Sequence, residues 1–402
     1  MKKSIKLLLI ILLVFVVIVA GMIFYYYDAI LKPVLGPPVA DVSQLLENTN
    51  QTEQQSEQIA VNGELQPIQK GPFTILGDFN IEVFAKDLNK PRVLLFDPQG
   101  NLLVSAMGEG AVYAIKPNGE KNKLVGDLFN PHGLDIKDGY LYIAETDKVS
   151  RYSYDAANFN LGEQEILFDL PADGGHYTRT IKFGPDDDLY VAVGSSCNVC
   201  YEDDERRSAI LKYNQQDWSY DIFAKGLRNT VFFIFHPQTK QIWGLDMGRD
   251  WLGDYLPPEE LNIILEDRDY GWPLCYGDNV HDTDFAENVE NPCVNTEPPI
   301  YELPAHFAPL GLVFIDSPIF PESWQGDLLV ALHGSWNRSN PGGYKVVHLD
   351  VENNQVLSHE DFMTGFLTDQ GVIGRPVDLV FGPDNVLYLS DDKAGVIYKI
   401  NR

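Results

Sequence analysis

The sequence is poor in basic residues and lacks the short motifs that bind nucleotides or carry out common hydrolytic chemistry. Lys and Arg number 30 against 58 Asp and Glu, which gives a formal net charge of −28. This balance argues against a nucleic-acid partner, because binding a phosphate backbone requires clustered cations. The chain also has no G-x-x-x-x-G-K-[ST], no G-x-G-x-x-G between a strand and a helix, no G-x-S-x-G and no H-E-x-x-H. We therefore expect no nucleotide-phosphate cradle, no nucleophile elbow and no zincin-type metal site.

The N-terminus carries lysines followed by an uncharged apolar stretch. This stretch, Leu7–Tyr27, is long enough to cross a bilayer, and it ends in tyrosines that suit a membrane interface. A cleaved signal peptide is the alternative, but its apolar core is usually shorter. We predict an uncleaved transmembrane anchor over residues 1–27 and a flexible polar linker over residues 28–71. The remainder of the chain is then expected outside the cytoplasm, in the periplasm or the extracellular space.

Cysteine is scarce, and its spacing excludes covalent haem attachment. The chain has four cysteines, and the CxxC of Cys197 and Cys200 is followed by Tyr201 rather than by histidine. Outside the cytoplasm an even number of cysteines usually forms disulfides, and the local pairs are Cys197 with Cys200 and Cys275 with Cys293. A zinc site built from four thiolates is the alternative, although the second pair is not a CxxC.

Long helical periods are absent, and short apolar segments separated by Pro-Asp or Asp-Gly turns recur instead. The six copies begin at Leu94, Leu134, Ile181, Phe232, Leu312 and Leu379. Repeated strand pairs of this kind are typical of a β-propeller, in which neighbouring blades bury each other's faces. We predict an all-β, six-bladed propeller over residues 72–402, with Phe73–Lys86 completing the last blade. Two packed Greek-key sheets are the alternative, but they seldom repeat a motif so regularly.

Polar residues recur just before the first strand of successive repeats. They are His132, His176, Arg228 with Asn229, and Arg375. In a propeller such positions converge at one end of the central channel, where a histidine and two arginines could bind and act on an anionic group. Each residue taken singly is more often structural, so the prediction depends on the repeated register. Long insertions after the fourth repeat and within the fifth are expected on the same face.

The segment Leu245–Asn262 is rich in carboxylates within a turn-rich loop. Calcium prefers oxygen ligands, including backbone carbonyls, so this loop is a candidate calcium site. Its spacing is not that of an EF-hand, and an acidic solvated loop explains the composition equally well.

The motifs "LRN" and "MGRDWLGDYLPPEELN", together with "GGHYTR", "HGSWNR" and "GRPVDLVFGPD", resemble the pyrroloquinoline quinone (PQQ)-dependent glucose/sorbosone dehydrogenase family. The sorbosone or pyranose dehydrogenase branch is the closest match, and the resemblance covers Phe73 to the C-terminus. It implies a six-bladed propeller with PQQ on its top face, a calcium ion beside the cofactor and a sugar as the substrate.

The resemblance also implies roles for individual residues. His176 corresponds to the general base that takes the proton of the anomeric hydroxyl while hydride passes to the quinone. Arg228 corresponds to the residue that stabilises charge on the quinone oxygen, with Asn229 beside it. The further cofactor-binding positions are Arg338, Arg375 and His132, and the calcium ligands are the backbone carbonyls of Gly248 and Arg249.

Two departures from the family pattern leave the sugar open. Gly175 stands where the soluble glucose dehydrogenases have an acidic residue, and the calcium loop reads Gly-Arg rather than Gly-Pro. We expect electrons to leave through a separate acceptor, a cytochrome or the quinone pool. The alternative functions are a calcium-dependent hydrolase or lactonase on a propeller, and a non-catalytic propeller that binds a carbohydrate or a protein.

Overall fold

The computed structural model of the protein describes Val16, residues 42–50 and residues 65–402. Within this described part, no helix combines the length and the apolar character needed to cross a membrane. The predicted anchor over residues 1–27 lies outside the described residues, apart from Val16. Its insertion in a membrane therefore stays a prediction.

Six antiparallel sheets form the blades of a propeller, as the repeats predict. The first strand of each blade contacts the first strands of the two neighbouring blades, and that of the sixth blade contacts that of the first, so the ring is closed. The chain enters through helix α1 (Val42–Asn50) and strands β1 (Pro67–Lys70), β2 (Phe73–Leu76) and β3 (Asn80–Ala85).

Blade 1 comprises β4 (Pro91–Phe96), β5 (Leu102–Ala106), β6 (Ala111–Ile115) and β7 (Lys121–Val125), with a 3₁₀ turn at Met107–Glu109. Blade 2 comprises β8 (Leu134–Lys137), β9 (Tyr140–Ala144), β10 (Lys148–Asp155), β11 (Asn160–Leu161) and β12 (Glu165–Asp169). Blade 3 comprises β13 (Arg179–Phe183), β14 (Leu189–Val193), β15 (Ala209–Tyr213) and β16 (Tyr220–Lys225). Blade 4 begins with β17 (Thr230–Phe235), β18 (Ile242–Asp246) and β19 (Glu259–Ile264).

The insertion after β19 contains β20 (Arg268–Asp269), which pairs with β16, then β21 (Cys275–Tyr276), β22 (Val280–His281) and helix α2 (Thr283–Ala286), before β23 (Tyr301–Leu303) completes blade 4. Blade 5 comprises β24 (Pro309–Phe314), β25 (Leu328–Leu332), β26 (Lys345–Glu352) and β27 (Gln355–Thr364), with a 3₁₀ turn at Glu322–Trp324. The small hairpin β28 (Leu367–Thr368) and β29 (Gly371–Val372) precedes blade 6, which comprises β30 (Pro376–Phe381), β31 (Leu387–Asp391) and β32 (Val396–Asn401).

The second strand of a blade is covered on both faces by neighbouring blades, and its sequence reflects this. Every residue of β5, β14 and β25 is buried, and these strands read LLVSA, LYVAV and LLVAL. A strand with only one buried face alternates apolar with polar residues, whereas one buried on both faces is apolar throughout. The continuous runs in the repeats therefore mark the strands inside the ring.

The Gly-Pro-Asp segments form equivalent turns in blades 3 and 6. The Gly184 amide donates to the Asp188 carbonyl at 2.8 Å, and the Gly382 amide donates to the Val386 carbonyl at 2.8 Å. In blade 3 the left-handed position of the turn is taken by Asp187, with φ 71°. Asp tolerates that conformation better than most residues because its short polar side chain can bond locally, which explains the turn composition of the repeats.

The ring is closed by the segment predicted to complete the last blade, although only part of it does so. Strand β3 pairs antiparallel with β32 of blade 6, which confirms the prediction for residues 80–85. Strand β2 instead pairs with β27 of blade 5 and with β1. Because strand-pairing partners are set by long-range packing, the apolar pattern of residues 73–86 does not distinguish the two blades.

The predicted linker contains regular structure where the sequence shows no clear period. Residues 42–50 form helix α1, and Val42 and Leu46, one turn apart, are buried against Phe73 and Phe79. Three apolar residues in a nine-residue helix are too few to stand out as a helical period. This helix therefore depends on its packing against the propeller rather than on its own sequence pattern.

Both predicted disulfides form, Cys197 with Cys200 and Cys275 with Cys293. No free cysteine remains, so the alternative of a four-thiolate zinc site is wrong. The bonds fit a protein that folds in an oxidising compartment. The second bond cross-links the insertion that follows β19.

Candidate active site

The loops that lead into five of the inner strands, and the second residue of β4 in blade 1, place polar side chains around one end of the channel. In blade order they are Arg92, His132, His176, Arg228, His306 and Arg375. The sequence prediction included four of these six, together with Asn229. Arg92 and His306 were missed: Arg92 lies two residues before Leu94, as His132 does before Leu134, whereas His306 lies six residues before Leu312.

His176 is held by hydrogen bonds at one ring nitrogen only. Its Nδ1 lies 2.9 Å from the carbonyl oxygen of Ser195 and 2.8 Å from Ser195 Oγ. The Ser195 hydroxyl donates its own proton to the carbonyl of Cys197 at 2.7 Å, so both atoms facing Nδ1 are acceptors. Nδ1 must therefore carry the proton, and Nε2 is the unprotonated nitrogen.

The imidazole of His176 is neutral at physiological pH. Burial, followed by the positive charge of Arg228, lowers the pKa of His176 to about 3. Both effects disfavour the imidazolium form. With Nδ1 occupied, the Nε2 lone pair is available to accept a proton from a ligand.

The segment that contains His176, before β13, is tightly packed against the loop that follows β14. The Gly175 amide donates to the Ser196 carbonyl at 2.7 Å. Gly174 has φ 100°, and a Cβ placed there would lie 2.5 Å from Cα of Ser196. Glycine is therefore required immediately before Gly175 and His176.

Arg228 is buried and bound to the disulfide loop. Its Nε donates to the carbonyl of Asn198 at 2.9 Å, and its Nη2 donates to Asn198 Oδ1, also at 2.9 Å. Asn198 lies between Cys197 and Cys200, so the loop that orients His176 through Ser195 also orients Arg228. Sequence analysis did not identify Asn198, although its position between the two cysteines of the CxxC motif could have marked it as part of the site.

The backbone around Arg228 is fixed by buried carboxyl groups. Asp246 accepts the amides of Arg228 and Asn229 at 3.0 and 2.9 Å, and Glu259 accepts the amide of Gly248 at 2.8 Å. Burial raises the pKa of Asp246 to about 6 and that of Glu259 to about 7. These oxygens, which the sequence presented as candidate metal ligands, serve as backbone acceptors.

The carbonyls predicted to bind calcium lie next to Arg228. Arg228 Nη1 donates to the carbonyl of Gly248 at 2.9 Å, so that oxygen already accepts one hydrogen bond. Arg249, the second predicted position, pairs through its side chain with Asp282 at 2.6 Å. The two calcium ligands therefore stay predictions, and no catalytic step is assigned to calcium. Among the described residues the one cluster of three potential metal ligands is Cys197, Cys200 and Glu202, in which both cysteines are oxidised.

On the opposite side of the ring, Arg375 and Arg92 surround a buried ion pair. Arg92 Nη1 lies 2.8 Å from Asp392 Oδ2, and His333 Nε2 lies 2.9 Å from Asp392 Oδ1. Arg375 Nε donates to the His333 carbonyl at 3.1 Å. Burial, followed by the charge of Arg375, lowers the pKa of His333 to about 4, so Asp392 neutralises Arg92 rather than an imidazolium.

The two other predicted cofactor residues occupy different depths. His132 is fully buried with Nδ1 3.3 Å from the Arg179 carbonyl, and its Nε2 has no hydrogen-bond partner in the described structure. Arg338 lies at the rim, where it donates to the Ala305 carbonyl at 3.0 Å and lies over the rings of Tyr255 and Phe307. Their predicted contacts with a cofactor stay predictions.

An anionic quinone with carboxylates fits this set of donors. Arg228 and Arg375 precede the first strands of blades 4 and 6, with blade 5 between them. The buried Nε of Arg92 and the buried Nε2 of His132 lack partners within the described residues. Buried polar atoms are normally satisfied, so the Arg92 Nε donor and the His132 Nε2 acceptor remain to be satisfied by a ligand. Guanidinium groups are also the side chains that bind carboxylates most strongly.

Comparison with known proteins identifies relatives of the propeller. The family model described as TrAA12-like matches residues 73–402. An uncharacterized protein of Borreliella burgdorferi is 33% identical over 80% of this chain and 89% of its own length. A PQQ-dependent pyranose dehydrogenase of Coprinopsis cinerea is 24% identical over 82% of this chain, and the match spans 54% of that enzyme. Among solved structures, the iodide structure of a Trichoderma reesei carbohydrate-active enzyme of family AA12 superposes with a TM-score of 0.72, at 22% identity, over 86% of this chain and 100% of that one.

Proposed function

Because the chain belongs to the TrAA12-like family, within a group of PQQ-dependent sugar dehydrogenase-like propellers, we propose that it oxidises an aldose or aldosulose at the anomeric carbon with PQQ. The observation that carries the proposal is the neutral His176, whose Nε2 is unprotonated, beside the buried cation of Arg228. A base and an adjacent positive charge are the two groups that removal of a proton and a hydride from a hydroxylated carbon requires.

PQQ, when bound, would supply a quinone that accepts the hydride and with it both electrons of the oxidation. Arg228 and Asn229 would hold its quinone side, and Arg375 with Arg338 would bind its carboxylates. His132 would contact the cofactor only through its unprotonated Nε2, because its Nδ1 faces the Arg179 carbonyl. The protein thus contributes binding, orientation and charge, while the redox chemistry belongs to the cofactor.

His176 acts as the base in this proposal. Its Nε2 takes the proton of the anomeric hydroxyl, while the hydrogen on the same carbon leaves with its electron pair, so a pyranose becomes a lactone. Nδ1 keeps its hydrogen bonds to Ser195 throughout, which holds the ring while it carries the extra proton. The guanidinium of Arg228 would stabilise the negative charge that the bound cofactor gains at its quinone side.

Calcium is a separate part of the proposal. A cation bound by the carbonyls of Gly248 and Arg249 would have to displace Arg228 Nη1 from the Gly248 oxygen. A cavity of about 20 Å³ lined by Gly248, Arg249, Asp246 and Glu260 lies beside this point. Removal of calcium with a chelator, followed by readdition, tests whether activity depends on it.

We also propose that the propeller works outside the cytoplasm, tethered by the N-terminal segment, and passes electrons to a separate carrier. The two disulfides support an oxidising compartment. The net charge of −28 favours encounter with a basic electron carrier. Fractionation of cells into membrane and soluble parts, and the ionic-strength dependence of electron transfer to a basic cytochrome, test these two points.

The test of the function is dye reduction by the purified full-length protein loaded with PQQ and calcium, across a panel of aldoses. Activity should require PQQ and should fall by about 10²–10⁴-fold in His176→Ala, the range for loss of a general base. The matched control is His359→Ala, since His359 lies on the outer strand β27 and bonds Tyr301. Absence of PQQ binding would refute the proposal and favour the hydrolase or non-catalytic alternatives.

A further inference from the structure

Two tryptophans next to the candidate active site are exposed. The Trp251 side chain is 70% exposed and that of Trp336 is 48% exposed. Their ring centroids are 5.2 Å apart and their planes are almost perpendicular, at 89°. They thus form an open corner with two indole surfaces. Large aromatic side chains normally bury most of their surface, so an exposed pair indicates a binding surface.

The backbone of Trp251 is in a conformation that its residue type disfavours. Its φ is 75°, in the left-handed region that glycine adopts readily and bulky residues rarely do. The exposed ring recovers little of this cost through burial. Strain of this kind is retained mainly where it serves function.

The aromatic corner is rigidly held. Trp251 lies on the loop between β18 and β19, and Trp336 lies on the loop between β25 and β26. Asn337 Nδ2 donates to Asp250 Oδ1 at 2.8 Å, and the Ser339 amide donates to Asp254 Oδ1 at 3.0 Å. The corner therefore exists before any ligand binds, which lowers the entropic cost of binding.

The same contacts connect the corner to Arg228. Asp250, the residue before Trp251, has its Oδ2 3.7 Å from Arg228 Nη2. The corner thus combines apolar ring faces with a carboxylate and the Asn337 amide at its base. A pyranose ring presents this pattern in reverse, since its C–H groups form an apolar face and its hydroxyls project around the edge.

We propose that Trp251 and Trp336 form a subsite for a pyranose ring of the substrate. One indole stacks on the C–H face of the ring and the other closes its side, while Asp250 and Asn337 accept and donate hydrogen bonds at its hydroxyls. The subsite rests on the proposed function for its place in catalysis. It specifies that the favoured substrates are cyclic sugars, rather than acyclic aldehydes or polyols.

The test uses the full-length protein without PQQ and methyl glycosides as probes. Methyl pyranosides of glucose, galactose, mannose and xylose keep the ring closed and have no free anomeric hydroxyl, so they bind without turnover. We expect saturable quenching of tryptophan fluorescence by at least one of them and none by sorbitol. In the variants, which lack a reporting indole, binding is measured by isothermal titration calorimetry, and the Kd should rise at least tenfold in Trp251→Gly and in Trp336→Ala. It should be unchanged in Leu357→Ala, which truncates an exposed apolar side chain on β27.

Trp251→Gly also guards against misfolding, because glycine accepts φ 75° without strain. Its melting temperature should equal or exceed that of the original protein. In the PQQ-loaded protein, both variants should raise KM for aldopyranoses at least tenfold and leave the Kd of PQQ unchanged.

The subsite is wrong if no methyl pyranoside quenches, or if folded Trp251→Gly and Trp336→Ala bind pyranosides as the original protein does. A basic cytochrome whose binding alone weakens in the two variants would assign the corner to the electron carrier and overturn the proposal. Quenching that depends on both tryptophans, without any PQQ-dependent activity, would instead overturn the dehydrogenase function and leave the sugar subsite standing.

Discussion

Replacement of Ser195 by alanine tests the geometry of the base without removing it. The Ser195 hydroxyl accepts from His176 Nδ1 at 2.8 Å and donates to the carbonyl of Cys197 at 2.7 Å. Ser195→Ala removes both bonds. The backbone carbonyl of residue 195 remains 2.9 Å from Nδ1, so the imidazole keeps one acceptor and the same tautomer.

The expected losses follow from the number of bonds removed. Each buried hydrogen bond contributes about 1 kcal/mol net, so the free energy of unfolding should fall by about 2 kcal/mol. Of this, only the bond to Nδ1 orients the base, and about 1.4 kcal/mol corresponds to a tenfold change in rate. We therefore expect kcat to fall roughly tenfold or less, with KM unchanged, whereas His176→Ala loses the base altogether.

The assay combines steady-state dye reduction with ¹⁵N NMR of the imidazole and urea denaturation. The NMR spectrum should show the Nδ1–H tautomer in both proteins. Ser317→Ala is the control, since Ser317 is also buried and donates to a backbone carbonyl, that of Asn385, and should lower stability without lowering kcat. A loss in Ser195→Ala as deep as that in His176→Ala, or a switch to the Nε2–H tautomer, would refute the reasoning.

Three further predictions concern the same loop. Replacing Cys197 and Cys200 together with alanine should lower the free energy of unfolding by about 2 kcal/mol, which is the loop entropy expected for so short a loop. It should also lower kcat. An unchanged kcat in a double variant that urea denaturation shows to be folded would contradict the positioning role of the disulfide. The lowered pKa of His176 means that the unfolded chain binds a proton below about pH 6.5, whereas the folded protein does so only near pH 3. The free energy of unfolding should therefore fall on acidification across that window, and His176→Gln should reduce its dependence on pH by up to about 1.4 kcal/mol per pH unit in urea titrations. Equal pH dependence in the two proteins would contradict the burial of a neutral imidazole. Gly174→Ala should cost at least about 2 kcal/mol in thermal unfolding because its Cβ clashes with backbone, whereas Gly139→Ala, which has open space at φ 79°, should cost less; equal costs refute the close packing of residue 174.

The blades were predictable because each repeat contains its own signals. The buried second strands and the Gly-Pro-Asp turns are local features, and both appear in the sequence in the order in which the blades follow. The partner of residues 73–76 was not predictable, since β2 and β3 have similar composition and only the closed ring assigns them to blades 5 and 6. Helix α1 was missed for the related reason that its apolar contacts are with the propeller.

The site was predictable to the extent that it repeats. His176, Arg228 and Arg375 all lie four or five residues before the start of a repeat, whereas Arg92 is the second residue of β4 and does not follow that rule. Asn198 is different, because its value comes from contact with Arg228, 30 positions away in the chain. No periodicity or composition signals such a contact before the fold brings blades 3 and 4 together.

The CxxC is best explained as a positioning element. Its short loop is bonded to His176 through Ser195 and to Arg228 through Asn198, and the Asp250 amide also donates to Asn198 Oδ1 at 2.8 Å. A base and a cation that act on opposite sides of one carbon need a fixed separation, and errors near 1 Å can be costly. A four-residue loop cannot bury a hydrophobic core of its own, so a covalent cross-link is needed to restrict its conformation. The disulfide therefore belongs with the functional residues, although neither sulfur takes part in the proposed chemistry.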